Sequence, residues 1–108
     1  MNKNLHTSNM KLTELLIREG TKEVYCYYNQ LTELILPDSL ERLYCEKNQL
    51  TELILPRGLR TLWCENNKLT ELILPDSLIR LDCDHSVKLI NLKDHMNIEI
   101  YYYYNKLL

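Results

Sequence analysis

The stretch that decides the fold reads Leu40-x-x-Leu43-x-Cys45-x-x-Asn48-x-Leu50, and it returns as Leu59-x-x-Leu62-x-Cys64-x-x-Asn67-x-Leu69. Cysteine stands at positions 26, 45, 64 and 83, a constant step of 19 residues. Self-similarity at a short fixed period marks a solenoid, in which each unit buries its apolar face against its neighbours. A ladder of this kind offers a long surface rather than a ready-made catalytic cleft.

The regular repeats span 21–39, 40–58 and 59–77. Each joins an eleven-residue phrase to eight variable residues, and the variable parts share Leu34-Ile35-Leu36-Pro37, Leu53-Ile54-Leu55-Pro56 and Leu72-Ile73-Leu74-Pro75. Residues 2–20 follow the same register loosely, with Met10 where asparagine is expected. The unit 78–96 is irregular: Ser86 replaces the asparagine, and Lys88 falls on an apolar position unless one residue is inserted before Leu89. A shortening before Asn97 then restores the period for a truncated last repeat, 97–108. The 108 residues are read as one domain.

The linked leucine, cysteine and asparagine positions resemble the leucine-rich repeat family over residues 12–108. The period is one residue below the usual lower limit of ~20. The Leu-Thr-Glu-Leu-Ile-Leu-Pro phrase is similar to the shortest class of such repeats, found in secreted bacterial effectors and in proteins of large DNA viruses. The resemblance implies a right-handed solenoid whose short parallel strands line a concave face.

Residue chemistry points the same way. In Leu43-Tyr44-Cys45 the inward side chains alternate, as a strand with one buried face requires. Eight residues that contain a proline cannot hold a crossing helix, because proline removes a backbone donor and holds the preceding residue extended. The expected architecture is therefore a mainly β repeat solenoid with extended, largely non-helical convex segments.

Cys26, Cys45, Cys64 and Cys83 are expected to point inward. They lack the paired short spacing of a zinc site, and in-line stacking disfavours disulfides between neighbours. They read as small, inert core thiols in a reducing, intracellular compartment. The asparagines Asn29, Asn48, Asn67 and Asn105 fall where the chain leaves the strand, and their amides can serve both backbone donors and backbone acceptors of the turn. Both ladders are structural.

The concave face carries the candidate function. Its middle row reads His6, Tyr25, Tyr44, Trp63, Asp82, Tyr101, and the next reads Ser8, Tyr27, Glu46, Glu65, Asp84, Tyr103. Tyrosine and tryptophan give large contact area at low entropic cost, so the patch is a candidate protein- or peptide-binding surface. The competing explanation is that tyrosine simply suits strands and that repeat duplication copied it. Glu46, Glu65 and Asp84 in line favour a partner rich in lysine or arginine, whose cations the rings would also accept. Arg42, Arg60 and Arg80 on the opposite flank compete for that role.

Two other surfaces support self-association. Leu16, Ile35, Ile54 and Ile73 form a convex apolar stripe beside a ladder of Glu14, Glu33, Glu52 and Glu71. Tyr101 to Tyr104 would make an open carboxyl-terminal edge strand able to pair with another chain, unless Tyr102 plugs the core end under Leu107 and Leu108.

Other function classes are disfavoured. A net charge of −2 gives no bulk field for nucleic acid or anionic membrane, and no apolar run is long enough to span a bilayer or form a signal-peptide core. Asp82-Cys83-Asp84-His85 brings a thiol, an imidazole and carboxylates together, but strand alternation turns Cys83 away from Asp82 and Asp84. His6, His85 and His95 have no metal-ligand spacing, and the two glycines, Gly20 and Gly58, form no phosphate loop. The chain is read as a non-enzyme without cofactor or metal.

Overall fold

The computed structural model of the protein describes residues 3–92 and 97–104. Eight short strands follow one another: β1 (Asn4–His6), β2 (Glu23–Tyr25), β3 (Arg42–Tyr44), β4 (Thr61–Trp63), β5 (Glu71–Ile73), β6 (Arg80–Asp84), β7 (Lys88–Ile90) and β8 (Glu99–Tyr103). Six of them make one sheet in the order β1-β2-β3-β4-β6-β8, with every neighbour parallel. Leu5, Val24, Leu43, Leu62, Leu81 and Ile100 stand opposite one another along it. The molecule is a parallel β-solenoid of about five turns, and no α-helix occurs among the described residues.

The core is the set of positions that the repeat holds apolar. Leu40, Leu43, Leu50, Leu59 and Leu62 are fully buried, as are Val24, Cys26 and Cys45. Each buried leucine contributes on the order of 1.5–3 kcal/mol relative to exposure. On the side away from the sheet, Leu34, Leu53 and Leu72 point in, while Ile35, Ile54 and Ile73 point out. Each turn then closes with a backbone bond across the two residues after proline, from Leu40, Leu59 and Leu78 N–H to the carbonyls of Pro37, Pro56 and Pro75.

The asparagine ladder closes the other end of each strand. Asn48 Oδ1 accepts the Leu31 N–H at 3.0 Å, and its amide donates to the carbonyls of Cys26 and Cys45 at 3.0 and 3.1 Å. Asn29 and Asn67 repeat the pattern. Just before each of these turns the chain takes a left-handed conformation, at Asn9, Tyr28, Lys47 and Asn66 (φ 57 to 59°). That costs a side-chain-bearing residue on the order of 1 kcal/mol, which the buried amide bonds offset. Asn105 lies outside the described residues.

The irregular unit departs from the sequence expectation. In place of an insertion before Leu89, the chain shortens. Lys88 pairs with Glu71 and Leu89 with Leu72, a step of 17 residues in place of 19. His85 has no left-handed φ and Ser86 cannot bridge as asparagine does, so the turn tightens, with Val87 N–H bonding the Asp84 carbonyl at 3.2 Å. Val87 thereby fills the core and Lys88 turns out to solvent. The 19-residue step has returned by β8, where Arg80 stands opposite Glu99.

Candidate binding face

Strand alternation sends Val24, Leu43, Leu62 and Leu81 into the core and the residues on either side of each to the outer face of the sheet. The middle row is continuous. His6 stacks on Tyr25 with ring centroids 4.6 Å apart, Tyr25 stacks on Tyr44 at 4.7 Å, and Trp63 meets Tyr44 edge-on at 5.1 Å. Stacking follows from the in-register parallel pairing, because strands ~4.8 Å apart hold equivalent rings near the aromatic contact distance.

This packing changes what the rings can offer. The faces of Tyr25 and Tyr44 are turned toward each other, so the row presents ring edges and hydroxyls rather than open π-faces. The Tyr25 hydroxyl donates to Glu23 at 3.0 Å. A cation of the chain itself lies over two further rings of the row. The Arg80 guanidinium sits 5.4 Å from the centre of Trp63 and 4.0 Å from that of Tyr101. The same side chain bonds Asp82 through Nε at 2.9 Å.

The carboxylates divide into two kinds. Asp82 and Asp84 are internal struts. Asp82 is 1% exposed, held by Arg80 and by the Tyr103 hydroxyl at 2.8 Å, and this bond pushes the Tyr103 pKa up to about 12. Asp84 is buried and accepts the backbone N–H groups of Asn66 and Asn67, the nearest at 2.9 Å. Its carboxylate stands where Glu46 and Glu65 use their backbone carbonyls to receive Tyr28 and Lys47. The loss of asparagine at position 86 was the available sign that this turn is built differently.

Glu46 and Glu65 are the second kind. They occupy equivalent places on adjacent turns. Glu65 is 7% exposed and Glu46 half-buried, and Oε1 of each is buried without a hydrogen-bond partner among the described residues. Burial raises the Glu65 carboxyl from the ordinary 4.5 to about 7. A bond from its own backbone amide opposes the rise, and the charges of Glu46, Asp82 and Asp84 add to it. Burial likewise raises Glu46. Trp63, two residues before Glu65, has a buried indole N–H that likewise has no partner among the described residues. Of the flanking arginines Arg42, Arg60 and Arg80 identified from sequence as competitors, Arg42 serves Glu23 at 2.7 Å and Arg80 serves Asp82, while Lys22 lies 3.4 Å from Glu41.

The remaining face residues sit at its margins. Tyr27, Tyr101 and Tyr103 are each more than a third exposed. Tyr102 is 44% exposed and pairs with Cys83, while Leu107 and Leu108 lie outside the described residues, as does His95. On the opposite side, Leu16, Ile35, Ile54 and Ile73 are 61 to 84% exposed. Burial pushes Cys26 and Cys83 up to about 12 and raises Cys45 and Cys64 well above the ordinary thiol range. Among the described residues, no helix is long and apolar enough to cross a membrane, and no three potential ligands converge on a metal position. Compared with known proteins, the chain matches no protein-family model and no curated protein sequence.

Proposed function

We propose that the chain is a leucine-rich-repeat-type binding module that recognises a protein or peptide bearing lysine or arginine on the outer face of its sheet, without catalysis. The observation that carries this reading is the pair of buried, unpartnered carboxylate oxygens of Glu46 and Glu65 beside the Tyr25–Tyr44–Trp63 row. Buried acceptors of negative charge are costly unless paired, and a cationic partner pairs them. The aromatic row supplies contact area that is already ordered, so little entropy is lost on binding. Affinity purification with wild type, Trp63→Ala and Tyr44→Ala tests the proposal. The expected loss exceeds about 1 kcal/mol for Trp63→Ala, and an unchanged partner list for both variants would overturn it.

A second reading rests on the exposed stripe of Leu16, Ile35, Ile54 and Ile73. A contiguous apolar strip of this kind favours self-association. Sedimentation over a range of concentrations separates the two readings: growth abolished by Ile35→Ser with Ile54→Ser supports assembly, and a strict monomer supports the binding module.

A further inference from the structure

Two carboxylates of the sheet face are paired with a cation of the chain. Glu23 receives Arg42 from the next turn, and Asp82 receives Arg80 from its own strand. Asp84, at the register position of Glu46 and Glu65, accepts instead the backbone N–H groups of Asn66 and Asn67. Neither glutamate has an ion-pair partner among the described residues. Lys47, the cation nearest Glu46 in sequence, lies 5.2 Å from the Tyr28 ring centre.

In the neighbouring row Arg80 shows one way in which this face satisfies a buried carboxylate: a guanidinium bonds it and packs on Trp63. On the preceding turns, two buried acceptors and one buried donor stand without a partner among the described residues, at Glu46 Oε1, Glu65 Oε1 and Trp63 Nε1. Resting on the peptide-binding reading above, we infer that Glu46 and Glu65 form a subsite for a single lysine or arginine residue, whose arrival turns the enclosed Glu46, Glu65 and Trp63 side chains outward so that its cationic head bonds the two carboxylate oxygens and its peptide carbonyl accepts from the indole N–H. A simple metal ion fits less well, because no third ligand converges there among the described residues. A free inorganic cation would also leave the indole N–H without an acceptor.

Occupation is coupled to a proton. The ionisable groups facing Glu65 are Glu46 from the turn after β3, Asp82 and Asp84 from β6, Tyr103 from β8, and the inward thiols of Cys45, Cys64 and Cys83. The two cations of the surroundings are engaged nearby, Lys47 acting on Glu46 and Arg80 bonded to Asp82, so an arriving ammonium is the first cation bonded to Glu65 among the described residues. It favours the ionised form, and near neutral pH the Glu65 carboxyl gives up its proton to solvent as the cation binds.

The test is carbon-13 NMR of the carboxyl groups of the full chain, with Nα-acetyl-lysine-N-methylamide as the probe and sodium chloride and tetramethylammonium at matched ionic strength as controls. The lysine probe should move the Glu65 titration midpoint down by about half a pH unit or more and should shift the Trp63 indole resonance. Glu65→Gln and Glu46→Gln should each weaken the probe about tenfold while keeping the wild-type spectrum elsewhere. A Glu65 midpoint that responds no more to the probe than to tetramethylammonium overturns the subsite, as does unchanged affinity in both variants. If partners are lost with Trp63→Ala yet the probe does nothing, the subsite fails while the binding face stands. If the probe binds and no partner depends on Trp63, the subsite stands and the binding face fails.

Discussion

Replacing Glu65 with glutamine should stabilise the protein in mildly alkaline solution and do little in acid. The carboxyl is raised from 4.5 to about 7, chiefly by burial. The folded state therefore holds the Glu65 proton more tightly than the unfolded chain does. The stabilisation this gives is complete below about pH 4.5 and is lost as pH rises through about 7. At about 1.4 kcal/mol per pH unit, the displacement sets a ceiling of about 3 kcal/mol on that loss. Glutamine keeps the shape and removes the charge, so Glu65→Gln should regain up to about 3 kcal/mol at pH 8 and lie within about 1 kcal/mol of wild type at pH 5. Urea unfolding of both proteins at pH 5, 6, 7 and 8 provides the assay. The reasoning is refuted if wild type and variant show the same pH dependence, or if the variant is the less stable at pH 8.

Other perturbations follow from the ladders. Asn48→Ala removes an acceptor for Leu31 N–H and a donor to two buried carbonyls, and should cost about 3 kcal/mol by urea unfolding; a loss below about 1 kcal/mol would show that the turn holds without the amide. With Cys26 and Cys83 near 12, only about one thiol in ten thousand is ionised at pH 8. Iodoacetamide should thus label the folded chain no faster than it unfolds, and labelling within minutes under native conditions would contradict the buried ladder. Arg80→Ala should destabilise by exposing the unpaired charge of Asp82, and adding Asp82→Asn should recover most of the loss; additive losses would mean that the two side chains act independently.

The repeat phrase makes the architecture legible in the sequence. Leu43 and Cys45 had to face inward together, and a constant step forces parallel, in-register strands. The shortened turn at 84–88 was not legible, because a missing asparagine shows only that the standard turn fails and leaves open which repair replaces it. On the face, strand alternation placed Tyr25, Tyr44, Trp63, Glu46 and Glu65 correctly on one side. It did not reveal that Glu65, Asp82 and Asp84 are buried, because Asp82 is enclosed by Arg80 and the Tyr103 hydroxyl and Asp84 is drawn onto the backbone N–H groups of Asn66 and Asn67. Nor did it reveal that stacking would occupy the ring faces. Both effects arise from contacts between turns, which spacing alone does not encode.

The most direct test of the central claim is selection of a random peptide library on the immobilised full chain, with the Glu46→Gln, Glu65→Gln double variant selected in parallel. Peptides recovered on wild type should be enriched in lysine and arginine, and that enrichment should vanish on the double variant and fall with salt. Peptides without basic residues, or the same basic peptides recovered equally on both chains, would contradict recognition of positive charge by this face.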